Sequence, residues 1–257
     1  MTDHLLIPDT QVKEGVDLSH IEAMGQYIID TKPEVIICIG DWWDMESLSA
    51  WDRGKLKFEG RRYMKDVEAG NKAMDMLLAP MKAYNKRRAI NKKAQYRPRM
   101  VFTLGNHEYR IQRAVESSGE YEGLIGYHHL NLDDWEVYDF LDPVKIDGVH
   151  YSHYFANPMT GNPYGGMIDT RLKNIGYSFT QGHVQAFQYG RRDLTNGGVI
   201  NGLVCGAFYS HDEDYKGYQG NNHFRGFVHK RNVQDGDYDM EVIRIQSLLE
   251  DYGEGHG

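Results

Sequence analysis

Apolar residues along this chain follow two rhythms, and the change between them divides it. In the first half they form short, nearly continuous runs: HLLIP at His4–Pro8, VIICI at Val35–Ile39 and MVFTL at Met100–Leu104. Runs of that length, rich in branched residues, predict strands buried on both faces, as in a parallel sheet. Between the first two runs, Ile21, Met24 and Ile28 recur at helical spacing over Ile21–Thr31, with Asp17 or Ser19 placed to cap the start and Pro33 to end it. Strand, helix and strand in that order make a βαβ unit. A second helix is predicted over Asp66–Asn91, where Met74, Leu77, Leu78 and Met81 share a face, and a third over Glu108–Ser117. Beyond His128 the rhythm becomes short alternating runs (WEVYDF, PVKI, VHYSH, YSFTQ, AFQYG, VINGLVCGAF, MEVIRI) with one helix near Met167–Ile175. Turn residues separate these runs, at Asp147-Gly148, Asn196-Gly197-Gly198 and Asp235-Gly236. The expected class is α/β, an α+β layered sandwich of mixed β-sheets flanked by helices. A single domain over residues 1–257 is expected, with a helical, basic insertion at about 45–99 and a loose tail at about 250–257.

Composition narrows this without redirecting it. At 257 residues, 40% hydrophobic and 12% aromatic, the chain has ample material for a core and is not disordered. Its two cysteines, Cys38 and Cys205, lie in apolar runs, which excludes a disulfide framework and suits buried, reduced thiols in the cytoplasm. No stretch approaches 18 uncharged apolar residues, and the first residues lack the basic region of a signal peptide. The formal charge of −8 is unevenly placed. Between Met76 and His107 there are eight basic residues (Lys82, Lys86, Arg87, Arg88, Lys92, Lys93, Arg97 and Arg99) and no acidic one, leaving 21 basic against 37 acidic elsewhere.

The chemistry lies at the end of each apolar run. HLLIP is followed by Asp9-Thr10-Gln11, VIICI by Gly40-Asp41-Trp42-Trp43-Asp44, and MVFTL by Gly105-Asn106-His107-Glu108. His153 comes directly after VHYS, and Gly182-His183-Val184-Gln185 after YSFTQ. Strand ends are where loops from neighbouring strands converge into sites. Carboxylates, imidazoles and carboxamides converging there, with no well-placed Ser or Cys nucleophile, read as metal ligands. A lone D-x-Q is nearly uninformative and G-D-x-x-D is moderate, but G-N-H-E after a buried strand is stronger, because a turn does not require His beside Asn.

The series D-x-Q, G-D-x-x-D, G-N-H-E, H, G-H-x-Q resembles the calcineurin-like metallophosphoesterase superfamily, whose usual pattern is D-x-H, G-D-x-x-D, G-N-H-[DE], H and G-H-x-H. The resemblance spans Asp9 to Gln185 and implies a sheet sandwich carrying two divalent metals. It implies that Asp41 bridges the metals, that Asp9, Gln11 and Gln185 complete the first site, and that Asn106, His153 and His183 complete the second. His107 would be the general acid or transition-state stabiliser, oriented by Asp44. The implied reaction is phosphoester hydrolysis by a two-metal-activated hydroxide, with a nucleotide or nucleic-acid phosphodiester the most plausible substrate. The alternative is a catalytically weak or inactive member of the fold, serving as a protein- or nucleic-acid-binding scaffold. A scaffold has no need of His107.

Departures from the family pattern carry information. Gln stands at 11 and 185, where the family has His, so the first site offers only oxygen ligands while the second keeps two imidazoles. Oxygen-only sites favour Mn²⁺, with Mg²⁺, Zn²⁺ or Fe²⁺ admissible, especially at the histidine-containing site, and the first metal should bind more weakly. Asp44 stands where purple acid phosphatases carry Tyr. Met45-Glu46 and Leu104 replace the arginine-bearing positions of the Ser/Thr phosphoprotein phosphatases, and Tyr154 replaces the glycine usual after the fourth-motif His.

Trp42, Trp43, Arg110, Lys86, Arg87 and Arg88 are the candidate substrate-binding residues, the tryptophans as active-site walls or base-stacking surfaces. Packing of helix on sheet also accounts for one tryptophan. The basic segment 82–99, interleaved with Tyr84 and Tyr96, reads either as a nucleic-acid contact at the site mouth or as a solvated helix end favoured by the helix dipole. Of the other histidines, His150 reads as a packed strand residue, His128 and His129 as loop or cap residues. His211 and His223 belong to a polar loop, FYSHDEDYKGYQGNNHFRGF, that either lines a cleft or is solvated surface.

Overall fold

The computed structural model describes residues 1–49, 62–212 and 221–253. The early apolar runs become β1 (Thr2–Ile7), β2 (Val35–Cys38) and β3 (Arg99–Thr103), paired in parallel, with β4 (Glu136–Tyr138) extending the parallel series. A second sheet contains β5 (Val144–Ile146), β6 (Val149–Tyr151), β7 (Phe179–Gln181), β8 (Phe187–Asp193) and β9 (Val199–Cys205) in the order β5-β6-β7-β9-β8. Its three inner strands are parallel and its two edges antiparallel. Strands β10 (Gly226–Gln234) and β11 (Asp237–Arg244) then return to the first sheet, giving β11-β10-β1-β2-β3-β4.

Alternation along β1 and β2 sets the layers. Leu5, Ile7, Ile36 and Cys38 face helices α1 (Ser19–Thr31), α2 (Tyr63–Ile90) and α5 (Ile245–Tyr252), packing with Ile21, Met24, Leu77 and Leu248. Leu6, Ile37 and Val101 turn the other way, into the space between the sheets, against Val149, Leu203 and Cys205. Ile168 and Leu172 of α4 (Ile168–Ile175) cover the outer face of the second sheet with Phe179 and Val204. Helix α3 (Tyr109–Ser117) follows β3 and buries Ile111 and Ala114. The result is the layered sandwich of mixed sheets and flanking helices expected from the pattern. Both cysteines are buried and unpaired, and among the described residues no helix is long and apolar enough to cross a membrane.

One strand is missed by the sequence pattern and two expectations are corrected. Strand β10 falls partly in a stretch whose HKRN core hides the period of two. His229 and Lys230 are nonetheless fully buried there, His229 against the Tyr27 hydroxyl and Lys230 beside Thr180 with its Nζ 3.9 Å from the centre of the Tyr238 ring. The tail expected to be loose from about residue 250 is helical through Tyr252, because Ile245 and Leu248 anchor α5 in the core; residues 254–257 lie outside the described ones. The basic segment, finally, does not border the strand ends that carry the motifs, because Arg99 opens β3 while Asn106 and His107 follow its other end. Five residues of strand separate the two, about 16 Å. Lys86, Arg87 and Arg88 sit in the last turns of α2, where the helix dipole favours cations. Arg99 forks onto Glu136, Lys82 pairs with Asp134, and Arg88 donates to the Ala94 carbonyl, so part of this charge serves local structure.

Candidate metal centre

Because β1, β2, β3, β6 and β7 run in parallel within their sheets, the loops at their carboxyl ends meet at one edge of the sandwich. Backbone bonds tie them together. The N–H groups of Thr10 and Gln11 donate to the Asp41 carbonyl (3.0 and 2.8 Å), and that of Gly182 to the His153 carbonyl (3.1 Å). Gln11, Asp41, His183 and Gln185 all have positive φ, between 44° and 66°. Four non-glycine residues held in that sparsely populated region mark a place where the surroundings impose the conformation. Gly105 permits the closest approach, since a Cβ there would sit 2.2 Å from Asp41 Oδ1 and 2.4 Å from its nitrogen.

Asp41, His153 and His183 bring one ligand atom each to within 4.8 Å of one another. His153 Nδ1 faces the Ile39 carbonyl at 2.8 Å, which fixes the ring and leaves Nε2 toward Asn106 Oδ1 (3.0 Å) and Asp41 Oδ2 (3.3 Å). That is how a backbone carbonyl prepares an imidazole for a metal. Asp41 Oδ1 accepts from the His107 N–H (2.9 Å), and Asp9 Oδ1 from the His183 N–H (2.9 Å). The remaining Asp9 oxygen, Oδ2, and Gln11 Oε1 are both buried and accept no hydrogen bond. Buried oxygens are rarely left so. A divalent cation fits this donor set, because it would engage two buried oxygens that are otherwise unsatisfied. Gln185, expected beside Asp9 and Gln11, accepts from the Tyr209 hydroxyl (3.1 Å) through its Oε1.

The electrostatics agree with a site shaped for positive charge. Burial pushes the Asp9 carboxyl up to about 6, with His153 opposing and Asp41 adding. Burial also works against ionisation of Asp41, but His107 and His153 outweigh it and hold this carboxyl well below the usual carboxylate range. Burial lowers His183 to about 4, which keeps its imidazole neutral and its lone pair free.

His107 stands beside this group, buried, with Nε2 3.6 Å from Asp41 Oδ2 and Nδ1 2.9 Å from Asp44 Oδ1. Burial disfavours its charged form, yet Asp41 and Asp44 together raise its pKa against the opposing charge of Arg110. Arg110 bonds the Asp44 carbonyl through Nη1 (2.7 Å) and His107 Nε2 through Nη2 (2.9 Å), so it lies in the site as a brace on His107.

The other substrate-binding expectations are corrected. Trp42 and Trp43 are fully buried, Trp42 donating to the Gly70 carbonyl and Trp43 packing 5.9 Å from Phe102, so neither ring is available to a substrate. Lys86, Arg87 and Arg88 lie toward the far end of the sheet, where α2 finishes. His150 packs on Tyr177, His129 bonds Tyr63, and His211 and His223 flank the Tyr209 ring.

Glu108, quoted within G-N-H-E but assigned no role, is the main residue missed. Its Oε2 accepts from the N–H groups of Asp41 (2.9 Å) and Gly105 (2.8 Å), and its Oε1 from those of Trp42 (2.7 Å) and Trp43 (3.0 Å). One buried carboxylate thus clamps the second and third motif loops together.

No protein-family model matches this chain, and no curated protein does. Among solved structures it is similar to YfcE, a phosphoesterase from E. coli, at 10% identity and a TM-score of 0.42, over 95% of this chain and 99% of that one.

Proposed function

We propose that this chain is a metal-dependent phosphoesterase, a hydrolase acting on ester bonds, whose preferred substrate is a phosphodiester such as a nucleotide or nucleic-acid linkage. The observation that carries the reading is the convergence of Asp41, His153 and His183 next to the unsatisfied oxygens of Asp9 and Gln11, with the His107–Asp44 pair alongside. Bound at these residues, two divalent ions would clamp the phosphoryl oxygens and activate a water for in-line attack. Asp41 would touch both; Asp9, Gln11 and Gln185 would hold the first, and Asn106, His153 and His183 the second. The all-oxygen set favours Mn²⁺ at the first position.

The chain's own residues account for the rest. Asp44 holds His107 Nδ1 and supports the protonated ring, and once Arg110 Nη2 gives up Nε2, that nitrogen can carry the proton passed to the departing oxygen at the edge of the cluster. Lys13 and Arg110 both approach Asp44, at 3.7 and 3.8 Å. Engaged there, these two cations are not offered to a substrate oxygen on this side, which suits the single charge of a diester better than the double charge of a terminal phosphate.

The test is a comparison of bis-p-nitrophenyl phosphate with p-nitrophenyl phosphate, after chelation and after adding back Mn²⁺ or Zn²⁺. The expected result is no turnover in chelator, recovery with Mn²⁺ above Zn²⁺, and kcat/KM higher for the diester. Absence of metal-dependent turnover on both would favour a binding scaffold.

A further inference from the structure

Helix α4 leaves the second sheet's face carrying an arginine with an unusual surrounding. The helix sits directly on backbone: Gly190 and Gly202 are cross-strand partners, and a Cβ on either would fall within 2.9 Å of Ile168 or Leu172. That close seating fixes the helix and whatever it carries. Arg171, on the same helix, is 4% exposed. Its Nε donates to the Gly166 carbonyl (3.1 Å), but Nη1 is buried with no hydrogen-bond partner, and Arg171 makes no ion pair among the described residues. A guanidinium taken out of water without an anion is costly to the fold, and such groups persist where an oxyanion completes them.

The direction of the side chain locates that oxyanion. Helical side chains lean toward the helix N-terminus, and the bond to Gly166 shows that Arg171 does so. The loop arriving at that terminus leaves from His153 and Tyr154 and folds back beside them, the Tyr164 N–H donating to the Phe155 carbonyl (3.1 Å), and the Tyr154 ring packs 4.8 Å from His183.

We propose that Arg171 forms an oxyanion subsite on the His183 side of the centre, where its unfilled Nη1 binds a non-bridging oxygen of the substrate phosphate. This rests on the phosphoesterase reading for its setting, but it assigns a residue outside every motif. A purely structural arginine would need only the bond to Gly166, which leaves the orphaned Nη1 unexplained.

The experiment is calorimetric titration of inorganic phosphate into the Mn²⁺-loaded full chain, for wild type, Arg171→Lys and Arg171→Gln, with a Mn²⁺ titration of each protein beside it. Mn²⁺ binding should be the same in all three. Phosphate affinity should fall about 10- to 100-fold in Arg171→Gln, the range for a charge-assisted bond, and by a smaller factor in Arg171→Lys, which keeps the charge but loses the fork. Phosphate affinity equal to wild type in Arg171→Gln, with Mn²⁺ binding intact, overturns the proposal. If the glutamine variant does not fold, Arg171→Lys decides, and undiminished phosphate affinity there overturns it equally. If wild type binds no Mn²⁺, the phosphoesterase reading is what fails. The subsite is then judged on the metal-free protein: a rise in wild-type unfolding temperature with phosphate that is smaller in Arg171→Lys supports it, and no rise, or an equal rise in Arg171→Lys, refutes it.

Discussion

Replacing Asp41 with asparagine is expected to lower metal-dependent kcat/KM on a phosphodiester by at least about a thousandfold while leaving the fold intact. Loss of residues that merely support metal ligands costs about 10- to 100-fold, and Asp41 is placed to touch both ions, so its loss should cost more. A thousandfold corresponds to about 4 kcal/mol of lost transition-state stabilisation. The fold should survive, because an asparagine Oδ1 can still accept the His107 N–H that Asp41 Oδ1 accepts at 2.9 Å. What disappears is the charge facing His107 and His153. Turnover assays with circular dichroism on the same samples check both halves, and activity within tenfold of wild type would remove Asp41 from the central role given to it.

Glu108→Gln should act on stability instead. Glu108 is fully buried and accepts four backbone N–H bonds, two on each oxygen. A glutamine keeps one acceptor oxygen and turns an NH₂ group toward two N–H donors. Each buried donor left without a partner costs about 1–3 kcal/mol, so a loss of about 2–6 kcal/mol is expected for the two. For a chain of this length that lowers the melting temperature by about 4–24 °C. Because these donors belong to the loops bearing Asp41 and Asn106, Mn²⁺ binding should weaken as well. Thermal unfolding with and without Mn²⁺ measures both effects. An unchanged melting temperature would show that Glu108 is not the clamp between these loops.

Much of this architecture was legible from the chain. The runs at His4–Pro8, Val35–Ile39 and Met100–Leu104 became parallel strands because little besides a strand between two packed layers suits so apolar and branched a segment. Residues placed after those runs converge because parallel strands bring their carboxyl ends to one edge. What stayed hidden is of another kind. The role of Glu108 depends on four backbone N–H groups, which sequence does not display. Arg171 lies outside every motif, and only its burial and unfilled Nη1 distinguish it. The Trp42-Trp43 pair was ambiguous between wall and core until its depth was known. The basic segment misled because charge along a sequence does not reveal that α2 carries it to the opposite end of β3 from His107. Strand β10 was obscured because His229 and Lys230, polar in type, find buried partners in Tyr27 and Thr180.

The central claim is that two unequal metal positions share Asp41, one held by imidazoles and the other by oxygen alone. Calorimetric titration of Mn²⁺ into the chelator-stripped protein tests it most directly. Two binding events of different affinity are expected, with the weaker one lost in Gln11→Ala and the tighter one retained. A single event, no binding, or two equally tight sites, with Zn²⁺ filling both alike, would contradict it.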